Sequence, residues 1–447
     1  MRRRLGEIAF ATLAFVSLAF AMSAAATSLV AQSTQPPPPP GVSATLDSAR
    51  AIRGARIAIS LLTYGPGDEV FERFGHIALA VHDSTTGDDI AFNWGMFDFN
   101  QPNFLVNFLT GDTKYWMAGF NTKAFNDFYR TQNRRIRRQE LAFTPVEKAA
   151  LFEFVAWNAR DENKFYRYDY YRDNCATRIR DAIDRVLLGA LKPVLNVPGE
   201  SHTWRDETAR ITASDLPTYA GIEIALGRNA DQTLSKWDEA FLPDFLADHL
   251  AAFVVHRPDG SRARLVTSDT VIFAADRVPL PTEAPARVAM AALLGLTLAG
   301  LIAGLADAKQ RIARILLGGA VALWYVLGGV LGTLLLLAGT VTKHGPYMGA
   351  NLTLLQLHPL MLVATWPVAV AVVRNVRGRT AMGISAVLAL LAFAGVILQS
   401  IPSLAQSNGV VLAVTVPVHV ALAIAMWRLD PDDTVRRRAS VPLQRAA

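Results

Sequence analysis

The chain contains one cysteine, Cys175, set in the polar and aromatic segment Tyr170-Tyr171-Arg172-Asp173-Asn174-Cys175-Ala176-Thr177-Arg178. A single thiol cannot close an internal disulfide, so it is either a small buried hydrophobe or a reactive group. Asp173 or Asn174 is a good N-cap, which places Cys175 in the first turn of a helix expected over about 175–188. Backbone N–H groups and the helix dipole stabilise a thiolate there, and the thiol pKa is expected to fall below its usual value of about 8.5. The same amides can hold a tetrahedral oxyanion. The polar neighbours Arg172, Asp173, Asn174 and Arg178 argue against a purely apolar site for the sulfur.

A thiol nucleophile needs a base, and of the eight histidines His76 is the best placed. It opens the apolar run His76-Ile77-Ala78-Leu79-Ala80-Val81 directly after Phe74-Gly75, where glycine permits close approach of another backbone. A lone strand histidine is ordinarily structural, and only the pairing with Cys175 reverses that reading. His82 shares a strand face with His76 but borders a polar turn. A third polar group is needed to hold the imidazole tautomer, and Asn93 on the neighbouring expected strand ranks ahead of Asp98. Cys175, His76 and Asn93 are therefore the candidate catalytic set. No glycine-rich phosphate loop, CxxC pair or metal-ligand spacing is present, so no cofactor or metal is implied.

The elements that must carry these residues form a small α+β unit. Ala55 to Thr63 alternates as a strand and ends at Tyr64-Gly65-Pro66-Gly67. The run from His76 and the run Ile90-Ala91-Phe92-Asn93-Trp94 make a β-hairpin across the Asp83–Asp89 turn. Thr144, Pro145 and Glu147 begin a helix reaching Ala159, with a capping box and proline at the first helical position.

Hydrophobic residues make up 51% of the 447-residue chain, and they are concentrated towards its C-terminus. Five apolar stretches, at about 288–306, 313–339, 354–373, 381–400 and 408–427, each approach the roughly 20 residues needed to cross a bilayer. At the other end, Arg2-Arg3-Arg4, an apolar core and a small-residue run have the order of a secretory signal or uncleaved anchor over 1–31. Pro36 to Pro40 stiffen a linker over 32–50. The expected organisation is then an exported domain over 51–280, a membrane domain over 285–430 and a basic tail over 431–447. Lys309, Arg311 and Arg314, then Arg374, Arg377 and Arg379, then Arg436-Arg437-Arg438 all fall on one side of the membrane. The positive-inside rule makes that side the cytoplasm and sends the N-terminal domain outward. The net charge of +6 is thereby largely a topology signal, and no basic face with stacking aromatics marks a nucleic-acid partner. Almost no charge lies mid-span, which disfavours a transporter.

A histidine strand followed by Asn-Cys at a helix start resembles the circularly permuted NlpC/P60-like (papain-like) thiol enzymes, among them the lecithin retinol acyltransferase relatives. More specifically, Leu62-Thr63-Tyr64-Gly65-Pro66-Gly67, Phe74-Gly75-His76, Phe92-Asn93-Trp94-Gly95-Met96-Phe97-Asp98-Phe99 and Asn174-Cys175-Ala176-Thr177-Arg178-Ile179-Arg180-Asp181 resemble the Lnb N-terminal periplasmic domain family. The match extends more loosely to His344-Gly345-Pro346 and to Asn351 through Leu360, with Gly345 inserted between His344 and Pro346, and with His358 at a position where asparagine is expected. The resemblance implies a multi-pass protein of the bacterial inner membrane whose periplasmic domain moves an acyl chain from a membrane phospholipid, through a Cys175 thioester, to the N-terminal amine of a lipoprotein. Tyr170, Arg172, Asn174, Arg178, His344, Asn351 and His358 are the expected substrate contacts. The same residue types also fit a hydrolase acting on lipid esters or peptidoglycan peptides, because water exclusion and pocket shape choose the acceptor. A non-enzymatic membrane sensor or assembly factor would keep Cys175 as a structural residue.

Overall fold

The computed structural model describes residues 44–257 and 260–431. The expected export signal, the proline run and nearly all of the basic tail lie outside these residues. The described chain divides into two compact units, one of residues 44–218 and 232–284, the other of residues 219–231 and 285–431.

The N-terminal unit is built on seven strands: β1 (Ile57–Tyr64), β2 (His76–Asp83), β3 (Asp88–Met96), β4 (Lys114–Asn121), β5 (Ile136–Leu141), β6 (Phe165–Arg167) and β7 (Val266–Phe273). They form one sheet in the order β7-β5-β1-β2-β3-β4-β6, and every neighbouring pair is antiparallel. The central strands are apolar at successive positions because both faces are covered. Ile57, Ile59 and Leu61 of β1 join Ile77, Leu79 and Trp94 in the larger core, while Leu62 and Tyr64 join Ala78, Ala80 and Tyr129 on the opposite face. A period of two sends alternate side chains to opposite faces, so each face needs its own cover.

Six helices of this unit matter below: α1 (Ala44–Gly54), α2 (Phe104–Thr110), α3 (Thr122–Thr131), α4 (Pro145–Asn158), α5 (Cys175–Val186) and α6 (Pro243–Ala252). Leu151 and Val155 of α4, Ile179 and Ile183 of α5, and Leu246 and Leu250 of α6 fill the larger core, whereas Tyr129 of α3 closes the other. The capping box read at Thr144 is present, with the Thr144 hydroxyl accepting from the Glu147 amide and the Glu147 carboxylate accepting from the Thr144 amide. The hairpin is likewise found, with β2 beginning at His76 as expected but running on to Asp83, and β3 reaching from Asp88 to Met96.

The second unit holds α7 (Val288–Ala306), α8 (Arg311–Val341), α9 (Leu360–Arg374), α10 (Arg379–Leu398) and α11 (Gly409–Arg428). All five spans, the third counted from Leu352, are long and apolar enough to cross a membrane. The segment 219–231 packs within this unit: Asn351 Nδ2 donates to the carbonyls of Ile224 and Ala225 at 2.9 and 3.0 Å, and Gln406 Nε2 donates to that of Leu226 at 3.1 Å. The protein is therefore a mixed α/β domain followed by a helical membrane region.

Candidate thiol site

Cys175 opens α5, and the residue that caps it is Asn174 rather than Asp173. Asn174 Oδ1 accepts from the amides of Ala176 and Thr177, both at 2.9 Å, and Nδ2 donates to the carbonyls of Tyr170 and Phe241, also at 2.9 Å. Thr177 completes the box by accepting from the Asn174 amide at 2.8 Å. The Asn174 side chain thus fixes the helix start that carries the thiol. Asn174→Ala is expected to lower stability by about 1–3 kcal/mol, because it deletes a cap and the side-chain donor to the Tyr170 and Phe241 carbonyls. Thermal unfolding of the purified variant measures this, and an unchanged midpoint would remove Asn174 from the account of how Cys175 is placed.

His76 is the first residue of β2, and the turn before it depends on glycine. Gly75 has φ +76°, and a Cβ there would lie 2.8 Å from the Tyr64 carbonyl oxygen, tighter than real contacts allow. Glycine is thus required for the close approach read from the sequence. Asn93 of β3 is fully buried, with Oδ1 3.1 Å from His76 Nε2 and Nδ2 donating to the Ala118 carbonyl at 3.1 Å. That second bond orients the amide, because only Nδ2 can donate to a carbonyl, so Oδ1 faces the imidazole and accepts from it. His76 therefore carries its proton on Nε2 and presents a lone pair at Nδ1.

Thiol and imidazole come together at Gly95. The pairing of β3 with β4 shifts register between Asn93 and Met96, and Gly95 within that irregularity has φ +94°. A Cβ at position 95 would lie 3.6 Å from Cys175 Cβ and 3.9 Å from His76 Cε1, so a single point is in van der Waals contact with both residues. The Ile77 amide, next to His76 along β2, favours a charged Cys175 sulfur. The structure thus gathers Cys175, His76 and Asn93 in one place, whereas Asp98 lies in the following loop and accepts from the Asn100 amide.

The electrostatics differ from the expected activated thiolate. The amides of Ala176, Cys175 and Ile77 favour the charged sulfur, but burial outweighs them and pushes the thiol up to about 12. Burial likewise pushes His76 down to about 4, opposed by its bond to Asn93. The helix-terminus effect is present, yet desolvation of a charge inside a core is the larger energy. At neutral pH the pair is an uncharged thiol beside an uncharged imidazole.

Three residues that short-range sequence patterns do not mark surround His76. Tyr64 and Tyr129 stack near its ring, with centroids at 6.4 and 6.2 Å. Arg134, almost wholly buried, lies 4.7 Å over the Tyr129 ring, donates to the Gly65 carbonyl and pairs with Glu72 at 3.2 Å. Its charge further disfavours protonation of His76 and favours a thiolate at Cys175. In sequence Arg134 is one of four arginines between 134 and 138, with nothing to show which is buried.

The remaining expected contacts divide. Tyr170 is 43% exposed, its ring 5.8 Å from that of Tyr168. Arg172 is exposed and lies over Trp204. Arg178 is turned inward, paired with Asp173 and 4.0 Å over the Tyr166 ring. His344, Asn351 and His358 belong to the other unit. There Asn351 is buried and holds the 219–231 segment, and His358 is buried with Nδ1 accepting from the Leu360 amide. His344 precedes the short helix Gly345–Met348, its carbonyl accepting from the amides of Tyr347 and Met348. Asn351 and His358 thus each make internal hydrogen bonds.

Residues 45–209 match the family model described as the Lnb N-terminal periplasmic domain. This is the family whose motifs the sequence carries, and its span contains Cys175, His76 and Asn93. No curated protein and no solved structure matches the chain. A periplasmic domain of this family followed by five apolar helices makes the chain a multi-pass membrane protein.

Proposed function

We propose that this chain is an acyltransferase of the bacterial inner membrane, with a permuted papain-like thiol domain in the periplasm. It moves an acyl chain from a membrane phospholipid to the N-terminal amine of a lipoprotein. The observation that carries the reading is the convergence of three features: a thiol at a capped helix start, a neutral imidazole with its Nδ1 lone pair available, and an asparagine that fixes that tautomer.

Because thiol and imidazole are both neutral at rest, attack and deprotonation are coupled. As Sγ bonds to the ester carbonyl carbon, its proton passes to His76 Nδ1, and the imidazolium then gives that proton to the departing glycerol oxygen. The Ala176 and Thr177 amides are already taken by Asn174 Oδ1, so the oxyanion role falls to the Cys175 amide rather than to the whole first turn. The thioester is released when the lipoprotein amine attacks its carbonyl, losing a proton to His76, which passes it to the departing sulfur and so restores the neutral pair. Burial of the site keeps water from competing for the thioester and so favours transfer over hydrolysis.

Intact-mass measurement of the full chain purified from a phospholipid membrane tests this. The expected result is a fraction carrying a hydroxylamine-labile acyl adduct that peptide mapping places on Cys175. Absence of any such adduct, under conditions where lipoprotein N-acylation proceeds, would overturn the mechanism.

A further inference from the structure

The stretch from Phe99 to Gly111 carries no charged side chain and contains α2. No residue of α2 is buried, and Leu105 and Leu109 are 66% and 59% exposed. The helix is nevertheless held at both ends by left-handed residues, Asn103 at φ 57° and Gly111 at φ 72°. Phe71, itself 52% exposed, meets Phe97 with ring centroids 5.2 Å apart, and Phe99 bridges Phe97 and Phe104 at 4.9 and 5.2 Å. A fixed apolar cluster of this kind left in water marks an interaction surface.

The cluster continues inward as a file of rings. Phe97 lies 5.2 Å from Tyr115, Tyr115 stacks on Tyr168 at 4.2 Å, and Tyr168 reaches to 3.9 Å from the Gly95 Cβ position that touches Cys175. We propose that α2 and the Phe71/Phe97/Phe99 rings form a lip that inserts into the outer leaflet of a lipid bilayer, and that the ring file guides a lipid acyl chain from that leaflet to Cys175. The inference rests on the acyltransferase reading for its second half, while the first half stands alone.

The occupant is hydrocarbon rather than another protein for two reasons. A domain joined in one chain to five apolar spans is never far from a bilayer. From Phe99 to Gly111 the polar positions, Asn100, Gln101, Asn103, Asn107 and Thr110, are all neutral, and the adjoining Asp98 carboxylate accepts from the Asn100 amide and side chain, whereas a surface recognising a charged protein would carry complementary charge.

The lone cysteine makes the test direct. In the full chain with Cys175→Ser, a bimane probe is attached after Leu105→Cys or, as a control, after Thr86→Cys in the exposed turn at the far end of β3. Each protein is reconstituted in nanodiscs of phosphatidylethanolamine and phosphatidylglycerol. Doxyl-labelled phosphatidylcholine is expected to quench the position-105 probe at least about twofold more than the control. Equal, water-like emission at both positions overturns the lip, as does a blue-shifted probe at 105 that lipid quenchers do not reach, which would mark a protein partner or a second copy. With Cys175 intact, the pair Leu105→Ser and Leu109→Ser is expected to slow thioester formation from bilayer phospholipid by roughly tenfold, yet leave loading from a water-soluble short-chain ester unchanged. Equal slowing with both donors overturns the guiding role. Quenching without any thioester in the unsubstituted chain would defeat the acyltransferase reading and leave the membrane lip standing.

Discussion

Cys175→Ala is expected to reduce lipoprotein N-acylation by roughly a thousandfold or more while the protein still folds and inserts. The size follows from what is removed: without the sulfur no thioester forms, and only residual binding and polarisation of the ester remain. The fold should tolerate the change, because alanine fits the space of the thiol at the start of a helix whose cap comes from Asn174. Cys175→Ser should be nearly as inactive, since a buried hydroxyl beside a weakly basic imidazole is harder still to deprotonate. The measurement is mass spectrometry of lipoprotein N-terminal peptides from cells lacking other N-acyltransferases, with membrane levels of each variant matched. Undiminished acylation by Cys175→Ala would leave the thiol a structural residue and overturn the thioester mechanism.

The second large effect belongs to His76. His76→Gln is expected to lower the rate of Cys175 acylation by about 10²–10⁴, the usual contribution of a positioned base. The pH dependence gives the sharper test. With the imidazole pushed down to about 4 and the thiol up to about 12, both groups are neutral between those values. Acylation should therefore fall as pH drops through about 4, where His76 takes up a proton and ceases to be a base, and not near its ordinary value of about 6.5. Alkylation of resting Cys175 by iodoacetamide should climb with pH throughout the accessible alkaline range, because its thiolate is scarce. An early plateau of alkylation near neutral pH would mean a preformed thiolate–imidazolium pair and would contradict the neutral ground state.

The same shift has a consequence for stability, of defined sign. The folded imidazole binds its proton more weakly than the unfolded one, so the unfolded chain gains the proton first as pH falls. Stability contributed by neutral His76 is complete above about 6.5 and is lost as pH falls towards 4. In His76→Gln this part of the pH slope in thermal unfolding should disappear.

Much of this protein was legible in one dimension because the relevant forces act over short range. The β-branched, apolar run over Ile57–Tyr64 and the hairpin from His76 to Met96 mark strands, since residue type and turn signals are local properties. Thr144-Pro145 and Asn174-Cys175 mark helix starts through side chains that reach only two or three residues ahead. The five spans follow from length and apolarity, set by bilayer thickness alone. The motifs around His76, Asn93 and Cys175 were enough to indicate the family of the N-terminal domain.

What only the tertiary structure decided concerns burial and competition for partners, which depend on residues far apart in the chain. The direction of the Cys175 shift is one case: a helix start lowers a thiol pKa, but the core packed around this helix raises it further. Arg134, Tyr64 and Tyr129 are brought to His76 by strand order and by α3 across the sheet, a juxtaposition that no spacing encodes. Asn174, Arg178 and Asn351 have the residue types of ligand contacts, yet each is committed to an internal bond. Residue type determines which bonds a side chain can make, whereas the packed fold determines which of them remain for a substrate.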